Sequence, residues 1–158
     1  MITHAPPKVL VDELDDSGVR YDVVSHRPTQ TAREEARALH VSPSRVAKTV
    51  VLVTPHAIVR AVLPASKRVD LHKIRHLLQT NEVRLATEEE LAGVYPDFEL
   101  GAVPPFALAG GDRVIVDMRV CLNDEVLLDA GTHDTSLRID TSDLIDLAHA
   151  SLGDICER

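Results

Sequence analysis

Apolar positions change their spacing several times along the chain, and each change marks an element. After Ala5-Pro6-Pro7, Val9, Leu10 and Leu14 recur at helical spacing and Gly18 supplies a stop, which predicts a short amphipathic helix. Tyr21 to Val24 reads as a strand. Thr31-Ala32-Arg33-Glu34 has capping-box spacing, and Ala36 and Leu39 form an apolar side, so a second helix is expected to run to about His40. Ser42-Pro43 opens a further helical turn. Thr49 to Val53 is almost wholly apolar and β-branched, the pattern of a strand covered on both faces. The turn Thr54-Pro55-His56 then joins it to Ile58–Leu63 as an antiparallel hairpin.

The second half continues in the same way. Asp70 caps a helix through Leu71, Ile74, Leu77 and Leu78, Val83–Leu85 is a short strand, and Thr87-Glu88-Glu89-Glu90 repeats the capping box. Gly101-Ala102-Val103-Pro104-Pro105 excludes regular structure, because two prolines remove donors and Gly101 permits an unusual backbone angle. Arg113–Asp117, Glu125–Leu128 and Ser136–Ile139 read as strands, and Thr141 caps a last helix through Leu144, Ile145 and Leu147. Hairpin-like strand pairs mixed with helices predict an α+β fold: a curved or barrel-like mixed sheet, largely antiparallel, with helices outside it. At 158 residues, the whole of 1–158 is expected to form one domain with a real core.

Composition narrows the functional classes. A net charge of -8 argues against a general nucleic-acid binder, which needs many Lys and Arg contacts to phosphate, but not against a protein that grips one short end. Aromatics are only 3% with no Trp, so the core must be built mainly from Val, Leu, Ile and Ala, and the scarcity argues against a base-stacking platform. No apolar run approaches a membrane span and no export leader follows Met1, so a cytoplasmic protein with no membrane partner is expected. Cys121 and Cys156 make neither a metal pair nor a disulfide framework.

Familiar catalytic signatures are absent: there is no Gly-x-Ser-x-Gly elbow, phosphate-cradling Gly-rich loop or dinucleotide fingerprint. His72 and His76 share a predicted helix face. Lys73 and Arg75 would repel a cation there, and no Glu follows His72 in the zinc-protease pattern, so no metal is expected. Cys121 lacks a base and a positive field and is read as a buried thiol. Three places remain. Lys48 enters an apolar strand and either leans out to solvent, the commoner fate of a lysine, or aims its ammonium into a cleft that holds an anion. The Gly101–Pro105 loop offers the amides of Gly101, Ala102 and Val103, stiffened by Pro104 and Pro105. It suits holding a carbonyl oxygen in acyl transfer, or is an ordinary stiffened connection. In Ala130-Gly131-Thr132-His133, small residues allow close approach of backbone or ligand, and His133 can donate or accept near neutral pH.

The segments Val46-Ala47-Lys48-Thr49-Val50-Val51-Leu52, Ala61-Val62-Leu63-Pro64-Ala65, Arg84-Leu85-Ala86-Thr87, Gly101-Ala102-Val103-Pro104-Pro105-Phe106 and Ala130-Gly131-Thr132-His133 occur in that order. With His26-Arg27-Pro28 and Thr31–Ala36, they make the chain resemble the YbaK/ProX-type aminoacyl-tRNA deacylases, relatives of the editing domain inserted in bacterial prolyl-tRNA synthetases. The likeness spans about Tyr21 to Leu147. It implies a stand-alone enzyme that hydrolyses the ester between a wrong amino acid and the 3′ CCA end of tRNA, without a cofactor or metal. It implies Lys48 as the essential cation at the terminal adenosine and Gly101 as the start of the loop holding the aminoacyl end. His133 would line the aminoacyl pocket and help select the substrate. His26, Thr31, Ala102, Val103, Pro104, Pro105 and Gly131 are the implied substrate-binding residues, with Lys67 or Arg68 as further local cations. Members differ in preferring Cys, Ala, Ser or Thr esters, and an aminoacyl-tRNA synthetase is a further partner the resemblance allows. Relatives commonly read Pro-Pro-Phe-Gly, whereas here Ala107 follows Phe106. A positive φ at the loop exit would penalise that alanine, and Gly110-Gly111 restores freedom nearby. The rivals are a non-catalytic module binding the aminoacylated 3′ end or a synthetase, and a hydrolase of small activated esters.

Overall fold

Polar caps and glycine stops cut the chain close to where the pattern predicts. The computed structural model describes residues 5–106 and 112–158, so Ala107, Gly110 and Gly111 lie outside the described residues. Helix α1 (Lys8–Ser17) begins after Pro7 and ends at Gly18, whose φ of 73° is left-handed. Strand β1 (Tyr21–Ser25) follows. Thr31 Oγ1 accepts the Glu34 amide at 3.1 Å to start α2 (Ala32–Ala38). That helix stops short of His40, which takes φ 58°. A 3-10 turn at Pro43–Arg45 leads into β2 (Val46–Val53) and its hairpin partner β3 (Ile58–Pro64). Next come α3 (Leu71–Leu78) capped by Asp70, β4 (Arg84–Leu85), and α4 (Glu88–Val94) with the full reciprocal capping box of Thr87 and Glu90.

After the Gly101–Pro105 segment, β5 (Arg113–Asp117), a 3-10 turn at Met118–Leu122, β6 (Glu125–Asp129), β7 (Thr135–Asp140), α5 (Thr141–Ala148) and β8 (Ser151–Gly153) complete the chain. Two differences from the sequence expectation have local causes. Thr141 is the first residue of α5 rather than its cap, because its hydroxyl donates to the Asn123 carbonyl at 2.6 Å. Strand β8 has too few residues to carry an alternation, and its parallel pairing with β5 defines it.

The described strands form one mixed sheet in the order β1-β7-β6-β2-β3-β5-β8, with β4 also on β2. The pairs β1/β7, β6/β7, β2/β3 and β2/β4 are antiparallel, and β2/β6, β3/β5 and β5/β8 are parallel. The edge of β2 opposite β3 is shared. Val46 and Ala47 pair with Leu127 and Leu128 of β6, whereas Leu52 and Val53 pair with β4. The sheet therefore splays from Lys48 onward, and Lys48 and Asp129 are the first residues beyond the last paired rung.

Side-chain alternation then decides which face each residue joins. Ala47 and Leu128 enter the main core with Leu10, Leu14, Val62 and Leu137. Val46 and Leu127 join Ala36 and Ala65 in a smaller cluster beneath α2. One residue past the last rung, Lys48 and Asp129 fall on that same α2 face. Among the described residues no helix is long and apolar enough to cross a membrane.

Candidate active site

The splay between β2 and β6 opens into a cavity of about 320 Å³, lined by Thr31, Ala32, Arg33, Lys48, Thr49, Ala65, Gly101 and Asp129. Two residues of α2, two of β2, the end of β3, the Gly101 loop and the end of β6 thus meet at one opening. Lys48 is half-buried, and among the described residues its ammonium has no hydrogen-bond or ion-pair partner. Burial lowers its pKa, and the neighbouring charges of Arg33 and Arg68 lower it further. A half-buried cation beside two more cations, with no carboxylate paired to it, is an arrangement suited to an anion. Of the further cations named from sequence, Arg68 acts on Lys48 electrostatically, and Arg33, not singled out before, lines the cavity itself.

The Gly101–Pro105 loop meets this opening through Gly101 alone. Gly101 takes φ 83°, in the left-handed region expected for it, and is exposed. Ala102, Val103, Pro104 and Pro105 are buried, with Val103 and Phe106 in the main core. Their side chains hold the loop down instead of facing the cavity, so any contact they make there is through backbone. The expected set of free amides is also reduced: Ala102 N–H donates to the Glu99 carbonyl at 3.0 Å. The Gly101 and Val103 amides carry no hydrogen bond among the described residues.

An unforeseen residue anchors the loop from below. Arg60 of β3 is 4% exposed, and its Nη1 donates to the Pro104 carbonyl at 2.7 Å. Its Nε lies 3.6 Å from Asp112 Oδ2, and its guanidinium stands 5.9 Å from the Tyr95 ring centroid. The Tyr95 hydroxyl donates to Asp112 at 2.9 Å, closing the set. A lone arginine inside the otherwise apolar run Ile58–Leu63 was the available signal for it.

The floor of the cavity is acidic, which the sequence reading also missed. Register places Val24, Ser136 and Asp129 in one row across β1, β7 and β6, and Lys48 follows Ala47, the partner of Leu128. Glu35, on the buried side of α2, sits over this row. It accepts the Ser136 hydroxyl hydrogen and shares a hydrogen bond with Asp129. Burial raises the pKa of Glu35, against the opposing pull of Ser136 and His26. Burial and the Glu35 charge together raise Asp129 well above the usual carboxylate range.

His26, 9% exposed, stands behind the acidic floor. Its Nδ1 lies 2.6 Å from the Arg27 carbonyl and its Nε2 2.9 Å from Ser136 Oγ. A carbonyl can only accept, so Nδ1 carries hydrogen. Ser136 Oγ thus links His26 to Glu35, whose carboxyl oxygen accepts the hydroxyl hydrogen.

His133 touches Gly101 from the other side. A Cβ on Gly101 would lie 3.5 Å from His133 Cε1. The ring Nε2 is 2.6 Å from the Leu100 carbonyl, and the His133 amide donates to Glu99 Oε2 at 3.0 Å. His133 thus braces the loop, and His26 and His133 both flank the cavity without lining it. Thr31 does line it, as the cap of α2. Gly131, at φ 88°, has its close approach filled by the protein's own Pro7 and Phe98: a Cβ there would meet Pro7 Cδ at 2.7 Å.

The thiols and the helix histidines stand apart. Cys121 is exposed, correcting the expectation that it is buried: it lies in the 3-10 turn rather than on a core-facing strand. Partial burial and Asp117 raise its pKa, so no thiolate is favoured. Cys156 is buried, and burial with the nearby Asp117 pushes its thiol up to about 12. His72 and His76 are exposed on α3.

Comparison with known proteins bears on the family and the fold. The model of a family described as an aminoacyl-tRNA editing domain matches residues 26–147. A crystal structure of a candidate trans-editing enzyme for prolyl tRNA synthetase superposes with a TM-score of 0.88 at 26% identity, covering 98% of this chain and 100% of that one. The hypothetical protein APE2540 superposes with a TM-score of 0.87 at 24% identity, over 95% of this chain and 100% of that one. A candidate signal transduction protein from Marinobacter aquaeolei VT8 matches at 21% identity and a TM-score of 0.71. It covers 98% of this chain but only 31% of that longer one.

Proposed function

This chain belongs to the aminoacyl-tRNA editing domain family, and from that premise we propose that it hydrolyses mischarged aminoacyl-tRNA in trans, holding the 3′ aminoacyl ester between Lys48 and the Gly101–Pro105 loop. The observation that carries this reading is the single cavity onto which both the unpartnered Lys48 ammonium and the left-handed Gly101 open. An adaptor's 3′ end brings a phosphodiester anion and an activated ester a short distance apart. The Lys48 and Arg33 side answers the first, and the Gly101 amide answers the second.

An aminoacyl ester is already activated, so its hydrolysis needs no covalent attack by a protein side chain. Water adds to the carbonyl carbon, assisted by the neighbouring ribose hydroxyl. The acyl–oxygen bond to the ribose breaks, the ribose oxygen takes up a proton and the free amino acid leaves. The protein contributes position and charge, worth up to ~7–11 kcal/mol for orientation and ~3–4 kcal/mol for one oxyanion donor. Gripping only the CCA end is compatible with a net charge of -8, because the cations concentrate at the opening.

The test is single-turnover release of amino acid from a panel of mischarged tRNAs carrying Cys, Ala, Ser or Thr. The wild type is expected to release at least one, and Lys48→Ala to abolish release while circular dichroism stays unchanged. Saturable binding without release across the panel would favour the non-catalytic module. Release unaffected by competing uncharged tRNA would favour the small-ester hydrolase.

A further inference from the structure

The proposed reaction leaves the acidic floor of the cavity without a role. Among the described residues Asp129 is the one acidic residue lining the opening, which it shares with Lys48 and Arg33. Neither cation is paired with it: among the described residues Lys48 makes no ion pair, and the Arg33 side chain donates to the Ser66 carbonyl at 3.1 Å. Its partner is another acid, Glu35, itself 2% exposed and fixed by Ser136. Two carboxyl groups in hydrogen-bond contact share a proton and carry one net negative charge. A site that lines one opening with cations and with a carboxyl group not paired to them suits a ligand carrying both an anionic and a cationic group.

We propose that Asp129, backed by Glu35, receives the α-ammonium of the esterified amino acid, so that the cavity reads the aminoacyl-adenosine end by its two opposite charges. This rests on the reading of the cavity as the aminoacyl-tRNA site and adds what selects a free amino acid ester over a neutral or N-blocked one. The ammonium supplies N–H donors and a single positive charge, matching the charge of the carboxyl pair. Glu35 does not line the cavity and acts through Asp129 as a positioning residue, holding the outer carboxyl by their shared hydrogen bond. The same geometry sets the direction of the acyl group: phosphate toward Lys48, carbonyl toward Gly101, amino group toward β6.

The test uses non-hydrolysable amides, so that binding is read without turnover. The 3′-alanylamino and 3′-serylamino derivatives of 3′-deoxyadenosine 5′-phosphate are titrated into the full chain, alongside their lactyl and glyceryl counterparts, in which hydroxyl replaces ammonium. The wild type is expected to bind the ammonium members about tenfold or more tightly, the scale of a hydrogen bond to a charged group. In Asp129→Asn that preference collapses to near unity while the lactyl affinity stays unchanged. Glu35→Gln, which still bonds Asp129, is expected to retain most of the preference.

Equal wild-type binding of both series would overturn the assignment while leaving the cavity's identity intact. So would a preference that survives Asp129→Asn. Failure of every analogue to bind the wild type would remove the underlying reading and the assignment with it.

Discussion

Gly101 and Gly131 are both left-handed, yet they differ in what surrounds them, and that difference separates their predicted effects. Gly131→Ala drives a Cβ to 2.7 Å from Pro7 Cδ and 2.8 Å from Phe98 Cδ1. Backbone strain of about 1–2 kcal/mol and overpacking of about 1–3 kcal/mol add, and thermal denaturation should register the sum as a clear loss of stability. At Gly101 the nearest obstacle, His133 Cε1, is an ordinary 3.5 Å away, so Gly101→Ala loses only the strain of about 1–2 kcal/mol. Its larger effect should appear in single-turnover release, because the strain rotates the peptide that faces the cavity. The glycine at 101 was legible as a backbone need. The one at 131 was legible only as smallness, since nothing local says that Pro7 and Phe98 arrive from distant parts of the chain.

Among the elements, the loop after α4 and the chain end after α5 are both secured by one buried charge. Arg60 reaches out of β3 to the Pro104 carbonyl, and Arg60→Met would leave that carbonyl without its donor and Asp112 without its ion-pair partner. Removing one member of such a buried set costs about 3–5 kcal/mol, which chemical denaturation would measure. Arg60→Lys, which keeps the charge but not the fork, should recover part of the stability and less of the release rate.

Asp117, at the end of β5, accepts the Ile155 amide at 2.9 Å and the Arg119 amide at 2.8 Å. Burial alone would raise its pKa, but those amides and Arg119 hold it below the usual carboxylate range. Its stabilisation is therefore complete above the unfolded value of about 3.9 and is lost as pH falls through the lowered folded value. Asp117→Ala should cost about 3–5 kcal/mol, expose the β8 region to hydrogen exchange, and leave release unchanged at low temperature, since the residue is not among those lining the cavity. Alternation and caps made the strands and helices readable. Anchors such as Arg60 and Asp117 looked in sequence like isolated charges on strands.

For the molecule as a whole, the acidic floor is a cost that folding bears for the site. The carboxyl pKa values of Glu35 and Asp129 are raised, so the native state holds protons that the unfolded chain has released. Stability must then fall as pH rises from the ordinary carboxylate range, about 4, through the raised values. A Tm profile should slope downward in the wild type as pH rises above the ordinary carboxylate range, about 4. Asp129→Asn, which keeps a donor for Glu35 and removes one buried acid, should flatten that slope and raise the Tm at pH 7. A variant that is more stable but has lost its ammonium preference separates a functional role from a structural one.

The order of elements, the hairpin of β2 with β3 and the three side-chain caps at Thr31, Asp70 and Thr87 were all present in local patterns, whereas the joining of Lys48 with the Gly101–Pro105 loop was only implied by the family resemblance. Spacing, β-branching and capping act over a few neighbouring residues, and a linear reading has access to that range. The pairing of Ala47 with Leu128, which brings Lys48 beside Asp129, and that of β6 with β7, which sets Asp129 opposite Ser136, were not within it. Register between strands remote in sequence depends on which faces bury together. For that reason the acidic side of the cavity, unlike its basic side, emerged only once the chain was folded.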